Sequence, residues 1–396
     1  MKNCISLFLS VIAGLTPCLA ADLSSAKQNS ITALPQNYMQ FKEKLHTQYG
    51  LDYRARVGLL WQHAAPGGGH TAFRDKYEVE ANWEMFQSSR WGSGSVQLLY
   101  ENMDYPHQTA ALVGQQAGIV EPINDDAFER RFLKRLTYTH HFAGKLEPFS
   151  VSIGQFLIGY FGKTSYKSLP FSYFNNFALA KNVTKGYPTG GVGTYLTYQP
   201  SKSLTFITGL QDTTNYFPKG VSLNHIQDDR WTSFFYASKT WHLMPQGKTV
   251  LTGWVYHSPS IKKYAGQLNK AYPTASDGFL INLRQDLNDW TFFAKANASS
   301  GNRMAVKQSY ALDIIYHNPL KRNPLDQIGF GLASNKVSQL NKKAVRSWEH
   351  VAEIYWAWGL SHFFTITPSF QIYLDPALTT RRRTVTVSSI ECKIFL

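Results

Sequence analysis

The C-terminal stretch SSIECKIFL (residues 388–396) alternates strictly between apolar and mostly polar side chains. The even positions from Ile390 to Leu396 are all apolar, whereas the odd positions hold Glu391, Lys393 and Phe395. Successive side chains of a β-strand point to opposite faces, so this stretch predicts a strand with one apolar and one polar face. In a membrane barrel the apolar face contacts lipid and the polar face lines the lumen.

The same alternation recurs along most of the chain, and several segments carry charges on a single face. A protein core would not accept such rows of charge without partners, whereas a water-filled lumen would. The charged residues predicted to line a pore are Arg54, Arg56, Lys76, Glu78, Glu80, Glu84, Glu353, Glu391 and Lys393.

About sixteen such segments can be read from the sequence, and most are as long as a tilted strand needs to cross a bilayer. The even number is typical of bacterial outer-membrane barrels. The predicted segments are 50–62, 72–86, 94–102, 130–142, 147–157, 190–199, 203–212, 231–241, 249–257, 278–285, 289–297, 308–316, 327–335, 347–360, 363–374 and 383–396. We therefore expect an all-β fold, an antiparallel transmembrane β-barrel.

The connections between these segments alternate between long and short, as the outer and periplasmic ends of such barrels do. The longest, 158–189, is rich in aromatic residues, and long loops are usually functional. Aromatic faces stack on sugar rings. Stacking of a sugar in a constriction and simple packing into the barrel mouth are both open interpretations. The aromatic candidates for a constriction loop are Tyr166, Phe171, Tyr173 and Phe174.

The N-terminus has the pattern of a signal peptide. Lys2 precedes the apolar run from Ile5 to Leu15, and small residues at Cys18 and Ala20 predict cleavage after Ala20. Residues 21–49 are then a periplasmic segment, and apolar residues at helical spacing predict a short amphipathic helix over 37–50, with a disordered leader as the alternative. The barrel follows over 50–396, in the bacterial outer membrane.

Composition excludes several other classes of protein. No apolar stretch is long enough for a membrane helix, and loss of Cys4 and Cys18 with the signal leaves only Cys392, so no internal disulfide or cysteine metal site can form. The net charge of +14 is scattered, without a nucleic-acid-binding motif. Anionic solutes or lipopolysaccharide phosphates near the run at 381–383 are better candidate partners.

No motif predicts catalysis, a metal or a cofactor. The run at 67–69 lacks the Lys and Ser/Thr of a phosphate-binding loop. Glu78 and Glu80 have a spacing that glycosidase carboxylates could use, but alternating charges along one strand are more simply a pore wall.

Two neighbouring stretches resemble a known family. Residues 353–360 (EIYWAWGL) and 365–376 (TITPSFQIYLDP) are similar to the penultimate hairpin of the OprB family of carbohydrate-selective porins. Weaker similarities lie at 152–155, 174–176 and 193–212. The resemblance implies a monomeric outer-membrane channel that passes small hydrophilic solutes, with carbohydrates as the expected class. The alternatives are an anion- or phosphate-preferring porin, an outer-membrane hydrolase and a structural barrel with a plugged lumen.

Overall fold

The structure is a computed structural model. It describes residues 36–66, 70–161, 173–213, 219–223, 230–243, 247–260, 275–301, 304–338 and 343–396. The expected signal peptide, the glycine run at 67–69 and the aromatic candidates Tyr166 and Phe171 lie outside the described residues.

A helix, α1 (Gln36–Tyr49), precedes the barrel, close to the predicted 37–50. It ends because Gly50 adopts a left-handed φ of 63°, and the Trp83 indole N–H donates to the Tyr49 carbonyl at 3.1 Å. The Tyr38 ring meets Tyr53 of the first strand edge to face. No helix in the described part of the chain is both long enough and apolar enough to cross a membrane.

Sixteen strands form one closed antiparallel barrel, in which each strand pairs with its neighbours in sequence and the last pairs with the first. At this seam, Arg56 lies opposite Phe395 and Ala65 opposite Thr386. The strands are β1 (Leu51–Ala65), β2 (His70–Ser88), β3 (Gly92–Asp104), β4 (Arg130–His141), β5 (Phe149–Phe156), β6 (Gly191–Ser201), β7 (Leu204–Asp212), β8 (Trp231–Trp241), β9 (Gly247–Ser258), β10 (Ser276–Leu287), β11 (Trp290–Ser299), β12 (Val306–His317), β13 (Gln327–Val337), β14 (Trp348–Gly359), β15 (Phe364–Leu374) and β16 (Thr384–Phe395).

The two faces of the strands follow the predicted alternation. Val79, Ile354 and Trp356 are exposed on the outer face, where closure of the barrel leaves apolar side chains facing lipid. Glu78 and Glu353, one residue away in their strands, point inward and are buried. The fold and the strand faces predicted from the sequence are therefore confirmed.

Some strand ends differ from the prediction. Strand β2 continues to Ser88, past the predicted end at residue 86, with an irregularity in its register between Glu84 and Phe86. Strand β5 begins at Phe149 rather than at residue 147, because Gly144–Leu146 forms a 3₁₀ turn that uses up the preceding residues.

The lumen is filled in part by two connections from the same end of the barrel. We call residues 105–129, between β3 and β4, the first inner loop, and the described residues between β5 and β6, 157–161 and 173–190, the second inner loop. Each contains a short helix with buried side chains, α2 (Ala110–Ala117) and α3 (Phe177–Ala180). Residues of both loops belong to one apolar cluster inside the barrel.

Candidate constriction site

The first inner loop is fixed to the lumen side of β14 and to the connection after β15. Thr109 caps the N-terminus of α2 by accepting from the Leu112 N–H at 3.3 Å, and Gly118 ends the helix with a φ of 89°. The residues after the helix contact the wall: the Val120 N–H donates to Glu349 at 3.0 Å, and the Gly118 carbonyl accepts from the Leu378 N–H at 2.8 Å.

The second inner loop crosses the lumen and is held at both ends of α3. The N–H groups of Asn175 and Asn176 donate to the two carboxylate oxygens of Glu353 at 2.9 and 2.8 Å. At the other end, Lys295 of β11 donates to the carbonyls of Ala178 and Leu179, the latter at 3.1 Å. An anion at the N-terminal end and a cation at the C-terminal end complement the polarity of the exposed backbone groups. Two wall side chains thus anchor the loop across the pore.

The loop approaches the wall so closely that one wall position requires glycine. A Cβ on Gly331 of β13 would lie 2.5 Å from Asp313 Oδ1, 2.9 Å from Leu179 Cδ1 and 3.0 Å from Phe174 Cε1. The absent side chain at Gly331 makes room for α3 and the residues before it.

Asp126 of the first inner loop is the centre of a charged cluster. Its buried carboxylate lies 2.7 Å from Arg74 and 2.9 Å from Lys76, both of β2, and contacts Arg130. Lys181 of the second inner loop reaches the same carboxylate at 2.9 Å. The four cations hold the pKa of Asp126 well below its usual value, against the opposing effect of burial. One carboxylate therefore joins the barrel wall to both inner loops.

The cluster continues along the wall through a second buried acid. Glu101 of β3 accepts from Arg130 at 2.7 Å and from Lys134, and lies 2.9 Å from Lys76. Lys134 also lies 3.2 Å from Glu78. Lys76, Arg130 and Lys134 each lie between two acids, and this pairing offsets the free-energy cost of removing the charged groups from water.

The row of ion pairs continues onto β1, the first strand of the barrel. Glu78 lies 2.7 Å from Arg56, and Glu80 lies 3.1 Å from Arg54. We call the whole set the charged wall: Arg54, Arg56, Arg74, Lys76, Glu78, Glu80, Glu101, Arg130, Lys134, Glu391 and Lys393. Together with Asp125, Asp126 and Lys181 of the inner loops, most of this wall encloses a cavity of about 200 Å³, which we call the eyelet.

The sequence predicted several members of this site. Arg56, Lys76, Glu78, Glu391 and Lys393 line the eyelet. The remaining predicted pore residues lie elsewhere. Arg54 and Glu80 extend the wall away from the eyelet, and Glu84 is exposed further along β2. Glu353 faces the lumen as predicted, but loop backbone covers it, so it anchors α3 instead of facing solvent.

Two predicted constriction aromatics belong to the described part of the second inner loop. Tyr173 is fully buried: its ring lies 5.8 Å from the Tyr355 ring, with the Lys393 ammonium 4.9 Å from its centroid. Phe174 meets Tyr355 edge to face at 4.7 Å and lines the eyelet. Both rings pack inside the barrel, and stacking on a solute stays a prediction.

A second aromatic group lies on the lumen side of β5, β6, β8 and β9. Phe161 stacks on Phe234 at 5.3 Å and meets Tyr195 edge to face at 4.9 Å, while Tyr187 meets Trp254 at 4.8 Å. We call this group the aromatic wall; its members are Phe156, Phe161, Tyr187, Tyr195, Phe234, Tyr236, Trp254 and Tyr256.

The residues that sequence reasoning missed include Arg74, Glu101, Asp125, Asp126, Arg130, Lys134, Lys181 and Lys295. Asp126 and Lys181 lie in connections, where no alternation assigns a face. Glu101, Lys134 and Lys295 have the lumen parity of their strands, and that signal could have identified them. In the described ranges, no three His, Cys, Asp or Glu side chains converge in a group that could hold a metal ion.

Comparison with known proteins agrees with this architecture. The family model of the carbohydrate-selective porins, OprB family, matches residues 71–394. A similar protein is Porin AaxA of Chlamydia pneumoniae, 26% identical over 362 residues, which cover 89% of this chain and 80% of that protein. Porin AaxA of Chlamydia felis is 28% identical over 312 residues, 78% of this chain and 68% of that protein.

Solved structures show the same fold. The high-pH structure of Pseudomonas putida OprB superposes with a TM-score of 0.73 at 12% identity, covering 94% of this chain and all of that one. The Salmonella typhi OmpF structure superposes with a TM-score of 0.57 at 12% identity, covering 87% and 97% of the two chains. This chain is an outer-membrane β-barrel porin, and it belongs to the OprB family of carbohydrate-selective porins.

Proposed function

We propose that the channel passes small hydrophilic sugars by passive diffusion through the eyelet. The observation that carries this proposal is the charged wall that encloses the eyelet together with the inner loops. Arg56 of β1 and Lys76 of β2 offer hydrogen-bond donors, and Glu78 of β2 offers acceptors. A polyhydroxylated solute needs both, because each hydroxyl donates one hydrogen bond and accepts others.

The size of the eyelet supports a small solute. Its volume of about 200 Å³ is below the roughly 300–1,000 Å³ of pockets for drug-sized ligands. The inner loops are anchored through buried ionic contacts, so the opening has a defined width that a solute must fit. No proton transfer, cofactor or covalent step is needed for this passage.

Further features of the proposal concern the protein's setting. We propose that a signal peptide, cleaved after Ala20, exports the protein and that the barrel functions as a monomer. We also propose that Arg381, Arg382 and Arg383 contact lipopolysaccharide phosphates. The arginines lie in the connection between β15 and β16, at the same end as the inner loops. Arginine pairs with phosphate through parallel hydrogen bonds, which favours that contact.

The experiment that tests the proposal is swelling of liposomes that contain the purified protein. We expect rapid swelling with glucose and progressively slower swelling with di- and trisaccharides, because the eyelet limits size. The reference is a liposome that contains the protein after heat denaturation. Swelling that is equally slow for every sugar, in a preparation that conducts ions, would reject a carbohydrate channel.

A further inference from the structure

Positive and negative groups are not exposed equally in the eyelet. The acids lie deep in the wall, where Glu101 and Asp126 are fully buried and the Glu391 side chain is 1% exposed. Several cations lie in front of them, with exposed fractions of 33% for Arg56 and 22% for Lys393. A solute in the eyelet therefore meets ammonium and guanidinium groups before it meets most of the carboxylates.

Three cations, Arg74, Arg130 and Lys134, lie in the buried layer with the acids, with exposed fractions of 3%, 9% and 11%. Lys76 and Lys181, at 20% and 22%, are more exposed than Asp126, which they share. The two most exposed acids that line the cavity are Asp125 and Glu78, at 14% and 10%. Both are less exposed than the cations that pair with them from the solvent side.

The charge count also favours cations. Of the described residues that line the eyelet, twice as many are basic as acidic. The basic ones are Arg56, Arg74, Lys76, Arg130, Lys134, Lys181, Lys185 and Lys393, and the acidic ones are Glu78, Asp125, Asp126 and Glu391. Buried Glu101 behind the wall adds one more acid. The excess of positive charge remains, and a confined space with low-dielectric walls focuses its field on the solute path.

We propose that the eyelet is a binding site for the anionic group of an acidic sugar, a carboxylate or a phosphate. This inference rests on the proposed function, since it names the class of carbohydrate that the channel takes best. Guanidinium and ammonium groups bind carboxylate and phosphate oxygens through charge-assisted hydrogen bonds, and rings of Arg and Lys select anions in pores. The buried acids fix these cations in position, and Tyr187 of the aromatic wall also lines the eyelet.

The test is electrical, with the full mature protein in planar bilayers. In a potassium chloride gradient we expect a reversal potential of the sign given by chloride permeation. Gluconate and glucose 6-phosphate should block the current at about a tenfold lower concentration than glucose, because hydrogen bonds to charged groups are stronger than neutral ones. A lower blocking concentration for gluconate than for glucose 6-phosphate identifies a carboxylate site, and the reverse order identifies a phosphate site.

The chain offers a matched pair of variants. Arg54 and Arg56 lie on the same face of β1 and both lie within 4 Å of Glu80, but only Arg56 lines the eyelet. We expect Arg56→Gln to remove most of the preference for gluconate over glucose and Arg54→Gln to leave it unchanged. Heat-modifiable migration in gels checks that both variants fold, and the wild-type measurements test the site if one does not.

Each negative result contradicts a different part of the proposal. Equal block by gluconate and glucose, with no anion preference in the reversal potential, overturns the anion site and leaves a neutral-sugar channel if glucose still swells liposomes. Equal loss of preference in both variants also overturns it, because the charge of the lumen as a whole would then be responsible. Ion conduction without entry of glucose or gluconate rejects the proposed carbohydrate function itself.

Discussion

The charged wall and the aromatic wall lie on different strands around one lumen, and each holds an inner loop by a different force. On the charged side, Asp126 and Lys181 connect both loops to β2 through ion pairs. On the aromatic side, Phe161 and Tyr187 pack against rings of β8 and β9. Ion pairs depend on ionisation, whereas ring packing depends on apolar area. The charged wall therefore determines the charge of the lumen, and the aromatic wall contributes to its shape.

The largest effect is expected from removing the centre of the charged wall. Asp126→Asn leaves four cations without their shared carboxylate, and loss of one partner of a buried ion pair costs about 3–5 kcal/mol. Urea unfolding of the protein in lipid vesicles measures the cost. The matched control is Asp125→Asn, because that carboxylate is partly exposed and lies 3.4 Å from Lys181 and 3.5 Å from Arg74. An equal loss of unfolding free energy in both variants would show that Asp126 is no more important to the cluster than Asp125.

The pH dependence of this contact has a definite sign. The pKa of Asp126 is lowered in the folded protein, so its contribution is present above the usual value of 3.8 and is lost as pH falls through the folded pKa. We expect the difference between wild type and Asp126→Asn to persist at mildly acidic pH and to shrink only in strong acid. A difference that already disappears near neutral pH would contradict the assignment.

The second effect concerns the aromatic wall. Phe234→Ala removes a buried ring that packs between Phe156 and Phe161, and such a truncation costs about 3 kcal/mol. Phe235→Ala is the control, since the neighbouring ring points to the outer face and is 45% exposed. We expect a smaller cost for Phe235→Ala and no dependence on pH for either variant. Loss of stability by Phe234→Ala that varies with pH would remove the distinction between the walls.

The smallest effect is expected at Glu121 of the first inner loop, where burial and the nearby Glu349 raise the pKa of the carboxyl. A raised pKa means that stability is fully present below 4.5 and declines as pH rises towards the folded pKa. Glu121→Gln removes this decline. We therefore expect a gain of about 1 kcal/mol at neutral pH and none in acid, measured by the same unfolding. A loss at neutral pH would indicate a stabilising role for the Glu121 carboxylate.

The sequence predicted the barrel well because alternation is a local signal. A residue such as Ile354 is apolar because its own strand position faces lipid, and neighbours two residues away show the same preference. The residue-by-residue faces of β1, β2, β14 and β16 followed from this rule. Strand ends were less accurate because turns such as Gly144–Leu146 have no period to read.

The interior of the pore could not be predicted in the same way. The partners of Asp126 are distant in sequence, and only the closed barrel brings Arg74 and Lys181 to one carboxylate. Glu353 has the parity of a water-facing residue, yet the backbone at Asn175 and Asn176 covers it. Which loop folds inward depends on such non-local contacts, so the alternation predicts the wall residues but not the loop backbone that covers them.

The contact between Arg74 and Glu391 has a consequence for the order of assembly. Arg74 lies in β2 and Glu391 in β16, and their 2.7 Å ion pair spans β1 at the seam where the barrel closes. The two strands are at opposite ends of the sequence, and contacts of such large separation form late because chain entropy opposes them. A partly inserted barrel lacks this bridge. The porin therefore completes its charged wall in the same step in which the barrel closes in the lipid.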